Sequence, residues 1–102
     1  MEARSTRALS AAVFGNEKFA EVVLALAAEG GAATAQQLSK ATGIDHSMVR
    51  SVLLRATAGG IVDALPRTGG RRSAQYYQAA PGELWPATRR LAEAVAVAPD
   101  RA

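Results

Sequence analysis

The chain has 102 residues, a net charge of +3 and 49% apolar residues, much of that alanine, which suits one domain (residues 1–102) with a thin core rather than two domains. It has no cysteine and a single histidine, His46, which excludes disulfides, thiol nucleophiles, thiolate metal sites and a histidine cluster within one chain, so neither a metal nor a cofactor is expected. No apolar run approaches the roughly 18 residues of a membrane span and the N-terminus lacks a signal-peptide core, so the expectation is a soluble cytoplasmic protein with no membrane partner.

The first predicted element is a short helix over 5–14, with Leu9, Val13 and Phe14 as its apolar positions and Gly15-Asn16 as its stop. A second helix is predicted to start near Asn16, with Phe19, Val22, Val23 and Leu26 at helical spacing and Gly30-Gly31 ending it. Thr34-x-x-Gln37 is a capping box for a short third helix, in which Leu38 and Ala41 are expected to face inward. Thr42-Gly43 closes that helix, Ile44 anchors the turn, and Asp45 caps a fourth helix whose inner face is Val49, Val52, Leu53 and Ala56. After Gly59-Gly60 the period changes from helical to alternating. Ile61–Leu65 and Ala74–Gln78 are predicted strands, joined by Pro66-Arg67-Thr68-Gly69-Gly70-Arg71-Arg72, a glycine-tipped basic loop. A last helix over 83–97 admits Pro86 in its first turn and carries Leu84, Trp85, Leu91 and Val95 as an apolar stripe.

The predicted order is α-α-α-α-β-β-α: a mainly helical fold with a small β-hairpin, a winged helix-turn-helix. The helix-turn-helix covers 34–58, the wing 61–78 and the C-terminal helix 83–97. The turn of such a motif needs a residue free to adopt positive φ (Gly43), a buried anchor (Ile44) and a cap (Asp45). The second helix needs a polar outer corner, because that corner enters the major groove. Here it offers His46, Ser47, Met48, Arg50 and Ser51.

The distribution of charge supports the same reading. Residues 34–80 carry Lys40, Arg50, Arg55, Arg67, Arg71 and Arg72 against only Asp45 and Asp63, while the flanking segments together add no net positive charge. Clustered basic residues are what neutralisation of phosphates requires. Arginine outnumbers lysine ten to two, which suits bidentate recognition of phosphate or guanine and equally reflects a GC-rich genome.

The stretch TAQQLSKATGIDHSMVRSVLLRATAGGIVDALPRTGGRRSAQYYQ resembles the winged helix-turn-helix of bacterial transcription regulators of the ArsR and MarR type. Gly43-Ile44, Ser47, Val49, Leu53 and Gly60-Ile61-Val62 fall on that pattern's landmarks. The upstream VFGNEKFAEVVLALA is similar to the segment that precedes the motif in ArsR-type proteins, so the resemblance covers about four fifths of the chain. It implies a cytoplasmic homodimer, associated with the nucleoid when bound to double-stranded DNA. Three departures stand out. The cysteine and histidine ligands of metal-sensing relatives are absent, so metal sensing does not carry over. Ala56 stands where leucine is commoner, and Leu54 lies on the outer face of the recognition helix, where a polar residue is usual.

Arg50 is the first candidate for a base edge, since arginine with guanine is the commonest specific pairing. Ser51 beside it is a second. Arg55, one turn later, suits a phosphate or plain solvent equally. His46 suits a phosphate, a base or an ordinary surface position; Ser47 suits a DNA contact or an extra cap, and Met48 a gap in the packing. Arg67, Arg71 and Arg72 on the wing are candidates for the backbone or the minor groove. Thr34, Gln36 and Lys40 are weaker candidates for phosphate contact. Tyr76 and Tyr77 alternate, so one is expected inside and the other outside. Leu9, Val13, Leu84, Trp85, Leu91 and Val95 are the candidates for a dimer interface. The competing expectation is a winged-helix subunit or adaptor that binds protein and not DNA. No acid/base pair or nucleophile set is visible, so an enzyme is not expected.

Overall fold

The central helix explains the architecture. The computed structural model describes residues 6–66 and 74–97. Within them α2 (Phe19–Ala28) has one charged residue, Glu21, and buries Phe19, Ala20, Val22, Val23 and Leu26. A helix apolar on most of its circumference must be covered on several sides. It is packed by α1 (Thr6–Phe14) and α5 (Leu84–Val97) on one side, and by α3 (Ala35–Thr42) and α4 (His46–Ala58) on the other. Leu38, Ile44, Val49, Val52, Leu53 and Ala56 complete the core from the α3–α4 side, and Ala92 and Val95 complete it from α5.

The corner between α1 and α2 is held by polar groups inside the protein. The fully buried Ser10 hydroxyl donates to the Asn16 carbonyl (2.7 Å) and accepts from the Ala20 amide (3.0 Å). Phe14 and Phe19 stack across the corner with ring centroids 4.7 Å apart. Helix α2 starts at Phe19, later than the start near Asn16 that the sequence suggested. The Asn16 Oδ1 accepts from the Lys18 amide at 2.8 Å, an Asx turn that delays the helix until Phe19.

Three strands form one antiparallel sheet in the order β1-β3-β2, with β1 at Ala32–Thr34, β2 at Val62–Ala64 and β3 at Tyr76–Ala79. The β2–β3 hairpin was expected, although both strands are shorter than predicted. Ile61 donates its amide to the Ala56 carbonyl (2.9 Å) and so finishes α4 before the strand begins. Ala74 and Gln75 lie outside the strand, with the Gln75 side-chain Nε2 donating to the Leu65 carbonyl.

Strand β1 was not expected, because Ala-Ala-Thr carries little β preference of its own. Gly31, at φ +92°, turns the chain so that Ala33 pairs with Tyr77 and Thr34 with Tyr76. The element order is therefore α-α-β-α-α-β-β-α. Ala33, Val62 and Tyr77 are buried while Tyr76 is exposed, so the tyrosine alternation is as predicted.

Candidate nucleic-acid interface

The helix-turn-helix is assembled by local hydrogen bonds that the sequence spells out. The Thr34 hydroxyl accepts from the Gln37 amide (3.1 Å), and the Gln37 side-chain oxygen accepts from the Thr34 amide (2.8 Å), closing the capping box. Gly43 ends α3 at φ +73°, in the left-handed region where glycine is favoured. The buried Ile44 follows, its amide donating to the Thr42 hydroxyl (3.1 Å) and its carbonyl accepting from the Ser39 hydroxyl (2.6 Å). Asp45 then caps α4, accepting from both the amide and the hydroxyl of Ser47. These bonds, the hydroxyl's first, hold the Asp45 carboxyl below the ordinary aspartate value, against a small opposing cost of desolvation.

Helix α4 divides cleanly. Val49, Val52, Leu53 and Ala56 are buried, while His46, Ser47, Arg50, Ser51, Leu54, Arg55 and Ala58 are exposed and line a shallow trough of about 590 Å³ along its outer side. A second hollow, about 410 Å³, lies between α4, the start of α3 and the base of the hairpin. Its walls include Gln36, His46, Arg50, Leu54, Ala64 and Gln75. His46, Arg50 and Leu54, spaced one turn apart, border both hollows and form the ridge between them. Among the described residues no acidic side chain lines either. Asp45, next to His46 in the chain, is engaged in capping.

The candidates sort accordingly. His46, Ser47, Arg50, Ser51 and Arg55 share the outer side of α4, and Gln36 lines the smaller hollow together with His46 and Arg50. The Arg55 guanidinium reaches back to the α1–α2 corner, where it would stand 3.6 Å from a Cβ placed on Gly15. Thr34 corrects its expectation: it is buried and its hydroxyl belongs to the cap, so it is not presented to a phosphate. Met48 and Lys40 are exposed but border neither hollow. Ala41, expected to face inward, is exposed, and Ala35 takes the inner position instead. Arg67, Arg71 and Arg72 lie outside the described residues. Gln75 and Ala64, at the hairpin base, are wall residues that no local sequence signal marked; only the β1–β3–β2 register brings them opposite α4.

A second surface lies on α1 and α5. Val13, Leu84, Leu91 and Val97 are each 45–59% exposed. Val95 corrects its expectation, being buried in the core of a single chain, while Leu9 and Trp85 are partly buried against that core. Val97 is exposed here and was not among the residues picked out by sequence. At about 100° per residue, the apolar arc of α5 spans about 200°, of which the core covers about half. Among the described residues no group of three or more histidine, aspartate or glutamate side chains is placed to hold a metal ion, and no helix is long and apolar enough to cross a membrane.

No family model and no curated protein matches the sequence. Solved structures do match. One is the organohalide-sensing transcriptional regulator RdhR in its 2,4-dichlorophenol-bound form, at a TM-score of 0.72 and 13% identity over 94% of this chain and 57% of that one. Another is a cysteine-to-serine mutant of MarR from E. coli, at a TM-score of 0.67 and 16% identity over 88% of this chain and 63% of that one. Both are MarR-family transcriptional regulators and not enzymes. The chain spans about three fifths of the length of the solved structures it matches. Its fold is the winged helix of MarR-type regulators.

Proposed function

We propose that this chain binds double-stranded DNA as a transcription regulator, acting in the cytoplasm as a homodimer and associating with the nucleoid when bound. Helix α4 enters the major groove with Arg50 toward a base edge, and His46, Ser47 and Ser51 contact bases or phosphates around it. Gln36 and Lys40 approach the backbone from α3. Arg67, Arg71 and Arg72, which the sequence puts at the tip of the hairpin, neutralise phosphates or enter the flanking minor groove. The observation that carries the reading is the outer side of α4: a basic ridge between two hollows that no acid among the described residues lines, on a winged-helix scaffold. A polyanion is the partner that such a face favours over a protein surface of mixed charge.

Leu84, Leu91 and Val13 supply the dimer surface. Covering the exposed half of each such side chain contributes roughly 1 kcal/mol, counted twice across a two-fold axis. Two α4 helices would then lie about 34–36 Å apart, one turn of DNA, over a near-palindromic site.

The test is fluorescence anisotropy of a labelled duplex pool at two salt concentrations, with the Arg67/Arg71/Arg72→Ala variant alongside. Binding should weaken steeply with salt. If each wing arginine neutralises one phosphate, the variant's slope should be shallower by about 0.9 per arginine. Absence of binding even at low salt overturns the proposal.

A further inference from the structure

Leu54 is the most exposed large apolar side chain of α4. It is 51% exposed, sits one helical turn beyond Arg50, and borders both the trough and the smaller hollow. Nothing in the fold accounts for it, because the core is served by its neighbours Val52, Leu53 and Ala56. Arg50 precedes it by one turn on the same ridge, and among the described residues no acid borders the hollows it lines. An apolar partner protein would have to bury the Arg50 guanidinium beside it, at a desolvation cost that only matching acids would offset. In the major groove the same arrangement is complementary: arginine meets guanine, and an apolar side chain meets the 5-methyl group of thymine, the only apolar group that a base edge presents there.

Resting on the DNA-binding reading above, we propose that Leu54 is a specificity-determining residue that reads the thymine 5-methyl group. Arg50 and Leu54 are separated by about 6 Å along the helix axis, against 3.4 Å per base step. The thymine therefore lies within about two steps of the guanine read by Arg50 in each half-site. The protein selects operators by this guanine–thymine pair, and Leu54 contributes to sequence choice while adding nothing to the electrostatic affinity for any duplex. His46, on the same ridge one turn before Arg50, extends the reading in the other direction.

The experiment starts by selecting preferred duplexes from a randomised pool with the full chain and with Leu54→Ala and Leu54→Gln. Each thymine of the selected site is then replaced by uracil, which removes only the methyl group. One thymine per half-site, close to the guanine whose preference is lost in Arg50→Ala, should weaken wild-type binding about fourfold when replaced. The same replacement should change binding of either Leu54 variant by less than twofold. Affinity for unselected duplex and the salt slope should be the same in all three proteins, and so should thermal melting, since the side chain is at the surface.

A flat uracil scan in the wild type overturns the inference while leaving DNA binding intact. A thymine penalty that persists in both Leu54 variants does the same. Variants that change sedimentation but not the selected sequence would show that Leu54 packs on protein, which also overturns it. If the pool yields no bound duplex at low salt, the DNA-binding reading itself fails, and this inference with it.

Discussion

Helices α4 and α5 bury a similar stripe and expose opposite chemistry. Both turn small aliphatic side chains toward α2: Val49, Val52, Leu53 and Ala56 from one, Ala92 and Val95 from the other. On the far side α4 presents His46, Ser47, Arg50, Ser51 and Arg55, whereas α5 continues its apolar arc into Leu84 and Leu91, with Arg89, Arg90 and Glu93 on the opposite side. The inner face of a helix reports which fold it belongs to, and both inner faces here are ordinary. The outer face reports the partner. A basic outer face is suited to a polyanion, an apolar one to a second protein surface, and the two lie on different parts of the same small domain.

The contrast can be broken from either side. The largest effect is expected from Leu84→Asp/Leu91→Asp, which places charge where α5 would meet a second chain. The dimer should dissociate with a constant raised roughly a hundredfold or more, and cooperative binding to a two-half-site duplex should vanish while binding to a half-site remains. Analytical ultracentrifugation with a parallel anisotropy titration checks both. A protein that was monomeric before the change would defeat the assignment of α5.

Arg50→Ala should act on the other face alone. A loss of about 1–3 kcal/mol in discrimination, or roughly fivefold to more than a hundredfold, is expected against a preferred site. Sedimentation should not change, and an altered oligomeric state would mean that the two faces are not independent.

Gly43→Ala sharpens the comparison from within the scaffold. There is open space around the site, so only the φ of +73° opposes the added methyl. The cost should be about 1–2 kcal/mol of stability, read as a lowered melting temperature. DNA affinity measured well below that temperature should follow the folded fraction.

The smallest effect concerns Asp45. Its folded-state pKa is depressed, so the stability it contributes is present above the unfolded value and is lost as pH falls through the folded one. Melting temperature should therefore drop on acidification below about pH 4. Asp45→Asn, which keeps the cap without the titration, should flatten that part of the profile.

The parts of the molecule that were legible in the sequence are those whose structure is decided locally. The Thr34–Gln37 box, the Gly43 turn, the Asp45 cap and the buried stripe of α4 each depend on residues within about one or two turns of one another, and each is found where the spacing put it. Strand β1 was illegible because its three residues form a strand only when β3 is beside them. The assignment of Val95 failed for a related reason. An apolar arc of about 200° says that a helix is covered on two sides, but not which half meets its own core. Likewise nothing near Gln75 in the chain announces that it will face Arg50 across a hollow.

Thr34 closes one more connection. It is both the last residue of β1, paired with Tyr76 of the hairpin, and the cap of α3. Wing and recognition unit thus share a hinge pin: the residue that ends the ladder on one side begins the helix on the other. The two parts are coupled levers, so a load on the hairpin reaches α3 through a single peptide unit. In hydrogen exchange, the amides of Gln37 and of the β1–β3 ladder should open in the same event, as one cooperative unit.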